Sequence, residues 1–165
     1  ASYNLAVLHR ARGDHAEAER LLALAERDAE RLSHVRLTAA ACAERGYQRL
    51  AAGTAGDEVA IAEAALEAAE RARSPALVAH ARAVALRLYA RAGIPPRPDL
   101  DAGVEGSGLE ANAALSVARY EAHGRREDDR ARVAAAVEVF VRSLGDLDDT
   151  APARAGFARR YLFTG

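Results

Sequence analysis

The sequence predicts an all-α protein in which about seven to eight helices stack as antiparallel hairpins into one array, a single domain over residues 1–165. Composition is the first reason. Half of the residues are apolar, yet aromatics make up only 5% and Trp is absent, so alanine and leucine carry the apolar share. With arginine and glutamate they are strong helix formers, and small alanine side chains favour close helix–helix contact. The second reason is periodicity: apolar residues recur at i, i+3, i+4 and i+7, one face of a helix, between Gly, Pro and capping residues. The third is repetition. Gly13, Gly53 and Gly93, each closing a helical run, lie 40 residues apart, as stacked units would place them.

Leu5 and Leu8 share a face of the first helix, which stops at Gly13. Asp14 caps the second, its carboxylate suited to the free N–H groups of a new first turn, and Ala18, Leu21, Leu22 and Ala25 form the stripe. Ser33 is the expected cap of a third helix that ends at Gly53. Asp57 is that of a fourth, striped by Ile61, Ala62, Ala65, Leu66 and Ala69. The fifth has Ser74 as cap and Pro75 at its first position, where a missing N–H does no harm, and ends at Gly93. Residues 94–108 then break the pattern with three of the five prolines and three glycines, a connection long enough to be read as a mobile or functional loop. Ser107 with Glu110 reads as a capping box opening a sixth helix, which runs to Gly124. A seventh covers "EDDRARVAAAVEVFVRSL", with acids in its first turn as the helix dipole favours, and residues 150–165 read as a short C-terminal capping helix.

The trio Ala18, Leu22 and Ala25 recurs as Ala62, Leu66 and Ala69, and a ring residue (His9, Tyr89 or Tyr120) precedes three of the turn glycines by four. In the first unit Leu5, Ala6, His9, Gly13, Ala18, Leu22 and Ala25 fill the places of a tetratricopeptide repeat, where small residues let paired helices approach and large ones fill the holes. The chain resembles that family clearly over residues 1–73 and more loosely over 74–144. The second unit carries extra residues around "GTAGD", the Pro-rich loop takes the place of a tight turn in the third, and the fourth lacks the trio. The 40-residue glycine spacing exceeds the usual ~34 and is similar to the long repeats of large bacterial regulators.

The resemblance implies a right-handed superhelix whose first helices line a concave groove for a peptide or helix. Counting back ten, six and three residues from the turn glycines places Tyr3, Val7 and Arg10, then Ala43, Tyr47 and Leu50, then Ala83, Arg87 and Ala90 on that groove. Tyr3, Val7, Arg10, Tyr47, Leu50 and Arg87 are the expected partner-binding residues, since Arg and Tyr are enriched where binding energy concentrates. Relatives that clamp a peptide carboxylate use Lys and Asn; this chain has no Lys, and Val7 stands where a clamp Asn would be.

Other chemistries find little support. The five histidines, at positions 9, 15, 34, 80 and 123, show no metal spacing. Asp99, Asp101 and Glu110 are spaced like calcium ligands, but Val104 occupies the position that needs Gly. "GSG" at 106–108 has no following Lys for a phosphate loop, and Cys42 reads as a small buried hydrophobe. The 23 basic residues, all Arg, balance 24 acidic ones, which argues against direct nucleic-acid binding. All-Arg usage beside abundant Ala is the habit of GC-rich bacterial genomes. A lone cysteine points to a reducing, cytoplasmic compartment, and no apolar run is long enough to span a membrane. Without Met even at position 1, the chain is read as a piece of a larger protein.

The expected function is therefore non-enzymatic, without cofactor or metal: a regulatory protein-interaction module that binds a peptide or helix in the concave groove, part of a larger bacterial protein. The other reading is a small-molecule-sensing helical domain of a bacterial transcription regulator or signalling ATPase, with the 94–108 loop as its lid. Phe157, Tyr161 and Phe163, three of eight aromatics within the last nine residues, are the expected route to a homo-oligomer.

Overall fold

Helix ends follow from where backbone N–H and C=O groups find partners once the ladder stops. At Gly13, Ser33 and Gly93 the chain turns through the left-handed region (φ 80°, 53° and 71°). Each turn is closed by a long backbone bond, from Asp14 N–H to His9 O, His34 N–H to Ala29 O and Ile94 N–H to Tyr89 O. The computed structural model describes residues 2–95, 97–124 and 127–143, without the side chains of 127–129. Within these lie α1 (Ser2–Ala11), α2 (His15–Arg31), α3 (Val35–Ala52), α4 (Glu58–Ala72), α5 (Pro75–Arg91), α6 (Leu109–Ala122) and α7 (Glu127–Ser143), with a 3₁₀ turn at Pro98–Leu100. Strands are absent among the described residues, and each helix packs on the next, as an all-α array requires. The expected capping helix at 150–165 lies outside the described residues.

Capping is as expected at Asp14, whose Oδ1 accepts from Glu17 N–H at 3.3 Å. Elsewhere it differs. Ser33 is the left-handed residue that closes α2, so the cap of α3 is His34, whose Nδ1 accepts from Leu37 N–H at 3.2 Å. Asp57 precedes α4 at φ 62° with no side-chain cap bond; the carboxylate of Glu58 accepts from Gly56 N–H instead. Ser74 caps α5 by position alone, ahead of Pro75. The Ser107–Glu110 capping box does not form: the cap of α6 is Gly108 at φ 83°. Two left-handed glycines, Gly106 and Gly108, are needed to turn an extended segment into α6, and Ser107 is buried between them.

The core sits where α3, α4, α5 and α6 meet, around Tyr47, Val84, Leu86, Leu88, Tyr89 and Leu115. On α1 the pattern misleads. Ala6, beside Tyr3, packs on Leu21 and Leu22, whereas Leu5 and Leu8 are exposed. The packed face of α1 belongs to Tyr3 and Ala6, against α2, and Arg10, against α3, and Leu5 and Leu8 lie off it.

The third unit departs from a hairpin. Arg87 near the end of α5 bonds Glu121 near the end of α6, and Pro75 at the start of α5 lies beside Gly106, just ahead of α6. Thus α5 and α6 run side by side in the same direction, and no helix intervenes. The segment between them travels back along α5, held by Arg82 Nη1 donating to Ala102 O at 3.0 Å and by a His123–Asp101 contact of 2.8 Å. Its Ile94, Leu100 and Val104 pack on the core in place of a helical stripe. The Pro-rich segment thus replaces the unit's second helix, a larger change than the lost turn expected from the sequence.

Close approach of α3 and α5 depends on Gly46, which is buried mid-helix. A Cβ there would lie 2.1 Å from Val84 Cγ1, and Val84 is fully buried with a stiff β-branched side chain. Gly46→Ala gains roughly 0.5–1 kcal/mol of helix propensity but overpacks the contact by about 1–3 kcal/mol. Net destabilisation is expected in urea denaturation, with recovery in Gly46→Ala/Val84→Ala. A neutral Gly46→Ala would contradict the packing.

Candidate functional site

The first helices of successive units are tied by polar side chains that sit almost out of water. Arg10 on α1 donates from Nε to Glu44 Oε1 on α3 at 2.5 Å, with both side chains 2% exposed. The guanidinium carbon of Arg10 also lies 5.8 Å from the Tyr47 ring centroid, close enough for a cation–π contact. Tyr47 then meets α5: its hydroxyl is 3.2 Å from His80 Nδ1, and the rings stack edge-on at 6.1 Å. On α5, Arg87 donates to Glu121 of α6 at 2.5 Å. Partners in this line are 33 or 34 residues apart: 34 for Arg10–Glu44 and Arg87–Glu121, 33 for Tyr47–His80. Gln48 reinforces it by donating to His15 O at 2.9 Å.

This changes the reading of the expected groove residues. Arg10, Tyr47 and Arg87 are buried and engaged with neighbouring helices, so they are not presented to a ligand. A guanidinium or phenol at that depth must keep its hydrogen-bond partner, and here the partner is internal. Tyr3, Val7 and Leu50 are partly exposed; Tyr3 packs on Leu21 and Leu22, and Leu50 against the main core. The structure therefore does not gather the six into one open surface.

An open cleft of about 350 Å³ lies instead on the α4–α5 face. It lies between α4, α5 and residues 97–100 of the segment that follows α5. Leu66, Val78 and Leu100 form its floor, and Glu63, Glu67 and Glu70 line the α4 side. Arg82, Arg97 and Asp99 complete the rim. Arg97 bridges Asp99 (2.8 Å) and Glu63 (3.2 Å), and Tyr89 donates its hydroxyl to Glu63. The Arg97 hydrogen bond holds the Asp99 carboxyl below its usual range; burial, then the Glu63 bond, raises the Tyr89 phenol. Sequence reading missed this cleft. Its signal was the length and proline content of residues 94–108, too many for a turn.

A smaller cavity of about 230 Å³ opens beside Glu26, Cys42 and Arg45, where Arg45 Nη2 pairs with Glu26 Oε2 at 2.5 Å. Burial raises the Glu26 carboxyl, and burial followed by the Glu26 charge pushes the Cys42 thiol up to about 11. Among the described residues no His, Cys, Asp and Glu cluster could hold a metal ion, and no helix is long and apolar enough to cross a membrane. No protein-family model, curated protein or solved structure matches the chain.

Two outcomes follow. Arg10→Met strands the Glu44 carboxylate and costs about 3–5 kcal/mol, whereas Arg10→Met/Glu44→Leu recovers most of it; urea denaturation of the two variants measures the difference, and equal losses would show that the pair is not coupled. For Cys42, the thiolate is the reactive form. A thiol pushed from 9.0 to about 11 is alkylated on the order of 100-fold more slowly at pH 8 than an unshifted one, with the rate climbing until pH approaches 11. Iodoacetamide labelling followed by mass spectrometry checks this.

Proposed function

We propose that the chain is a tetratricopeptide-like protein-interaction module that binds its partner at the α4–α5 cleft. The observation that carries this reading is the missing second helix of the third unit. Its absence leaves an apolar floor and a charged rim open between α4, α5 and the segment that follows α5. A helix or peptide in that place makes the contacts that an internal helix makes elsewhere in the array. The all-Arg composition suits a bacterial source and the single cysteine a reducing, cytoplasmic compartment, while a regulatory role rests on the resemblance of the long repeats. The C-terminal aromatic segment proposed to pair two copies lies outside the described residues.

A second reading, sensing of a small molecule, is favoured by one feature. The wall formed by Arg97, Asp99 and Leu100 belongs to the 94–108 segment, so a ligand in the cleft would touch a non-helical strap. The volume suits a small ligand, but the heavily charged rim suits a peptide better.

Reversing two exposed charges, Glu67→Arg/Glu70→Arg, is expected to reduce co-purification of the partner from the source cells at least tenfold, with the melting temperature unchanged. Undiminished co-purification would sink the cleft as the binding surface. A metabolite that raises the melting temperature of the wild type but not of Arg97→Ala would favour the sensing reading.

A further inference from the structure

The rim and floor of the cleft say what kind of segment fits it. Glu63, Glu67 and Glu70 follow one another at spacings of four and three along α4, so their carboxylates form a stripe on one edge of the cleft. With Asp99 they set four carboxylates against the two guanidiniums of Arg82 and Arg97. Both arginines have other bonds: Arg97 bridges Glu63 and Asp99, and Arg82 donates to Ala102 O. What faces outward toward an incoming segment is therefore net acidic, with Glu67 and Glu70 both exposed and Glu67 held only at 3.6 Å by the equally exposed Arg71 one turn on.

The floor is helical in its spacing. Leu66 and Ala69 are three apart on α4, as are Val78 and Ala81 on α5, so two parallel apolar rows flank a trough. Helices α4 and α5 pack on one another as the other neighbours do, and the trough lies above that contact, bordered on its far side by the segment that follows α5. Here an irregular segment borders the trough, and it contributes Leu100 to the floor without filling the cleft. A volume of about 350 Å³ admits large side chains projecting from a helix that rests above it.

We infer that the occupant is a basic amphipathic helix from a partner protein, which completes the third hairpin in trans. Its apolar residues, at i, i+3 or i+4, enter between Leu66 and Val78, and its Arg or Lys residues meet Glu67 and Glu70. This inference rests on the interaction reading above and adds the chemistry of the partner.

The probe is a fluorescent, helix-forming synthetic peptide of roughly 15 residues, with Leu at helical spacing and Arg on the flanks. Its control carries Glu in place of every Arg. Anisotropy with the full chain is expected to show binding of the basic peptide only, weakening with added salt and falling at least tenfold in Glu67→Arg/Glu70→Arg. A photo-crosslinking residue at position 67 is expected to capture the peptide. Equal binding of both peptides, or undiminished binding to the charge-reversed variant, overturns the inference. So does a crosslink from position 67 to residues 150–165 of the same chain, which would make the occupant internal. The two readings fail separately. If the charge reversal abolishes partner co-purification while the basic peptide does not bind, the basic-helix inference falls and the interaction reading stands. If co-purification survives the reversal and the peptide does not bind, both fall.

Discussion

A guanidinium withdrawn from water calls for an acceptor, and for the two arginines buried among the described residues, Arg10 and Arg87, that acceptor is on the next first helix. Arg10 reaches Glu44 and Arg87 reaches Glu121, each 34 residues on. Desolvation offsets most of the Coulombic gain in such a pair, so its main consequence is register. An Arg on a helix slid by one turn would lose its carboxylate and leave a buried guanidinium unmet, and in the Arg10–Glu44 pair a buried carboxylate as well. The α1–α3 and α5–α6 alignments both follow from this, and Tyr47 with His80 sets the alignment of α3 on α5 between them. Once α5 and α6 are held directly, no second helix is needed between them, and the 94–108 segment is free to be irregular.

Much of the fold was legible because helix formation here is local. Alanine-rich runs with left-handed turn residues between them set the helices to within a few positions, and Asp14 caps as its carboxylate predicts. Misreadings arose where two local signals compete. Ser33 is a good cap by type, but the closure of α2 required a left-handed residue at that position, which moved the cap to His34. Ser107 lost its role for a related reason, since both neighbouring glycines turn the chain. Leu5 and Leu8 share a face with each other but not with α2, and a single helix cannot reveal which face its neighbour takes.

The repeat spacing is a subtler case. Turn glycines at 13, 53 and 93 count 40 residues, yet the side chains that join the first helices count 33 or 34. The glycines mark where the helices end. Pairings mark where the helices touch. Three of the expected groove residues, Arg10, Tyr47 and Arg87, are buried instead of open to a ligand. That Arg10 is buried depends on Glu44, which no spacing within α1 can show. The cleft was equally invisible, because it exists only if α5 and α6 run parallel.

The parallel pair is thus the claim on which the cleft, its missing helix and the proposed partner all depend. It is tested most directly by distances between spin labels on a Cys42→Ser background, pairing position 90 at the end of α5 with position 123 after α6 or position 109 at its start. With a rise of ~1.5 Å per residue along α6, the 90–123 distance is expected to be shorter than 90–109 by about 10–15 Å. The reverse order would mean an antiparallel hairpin and would contradict the account.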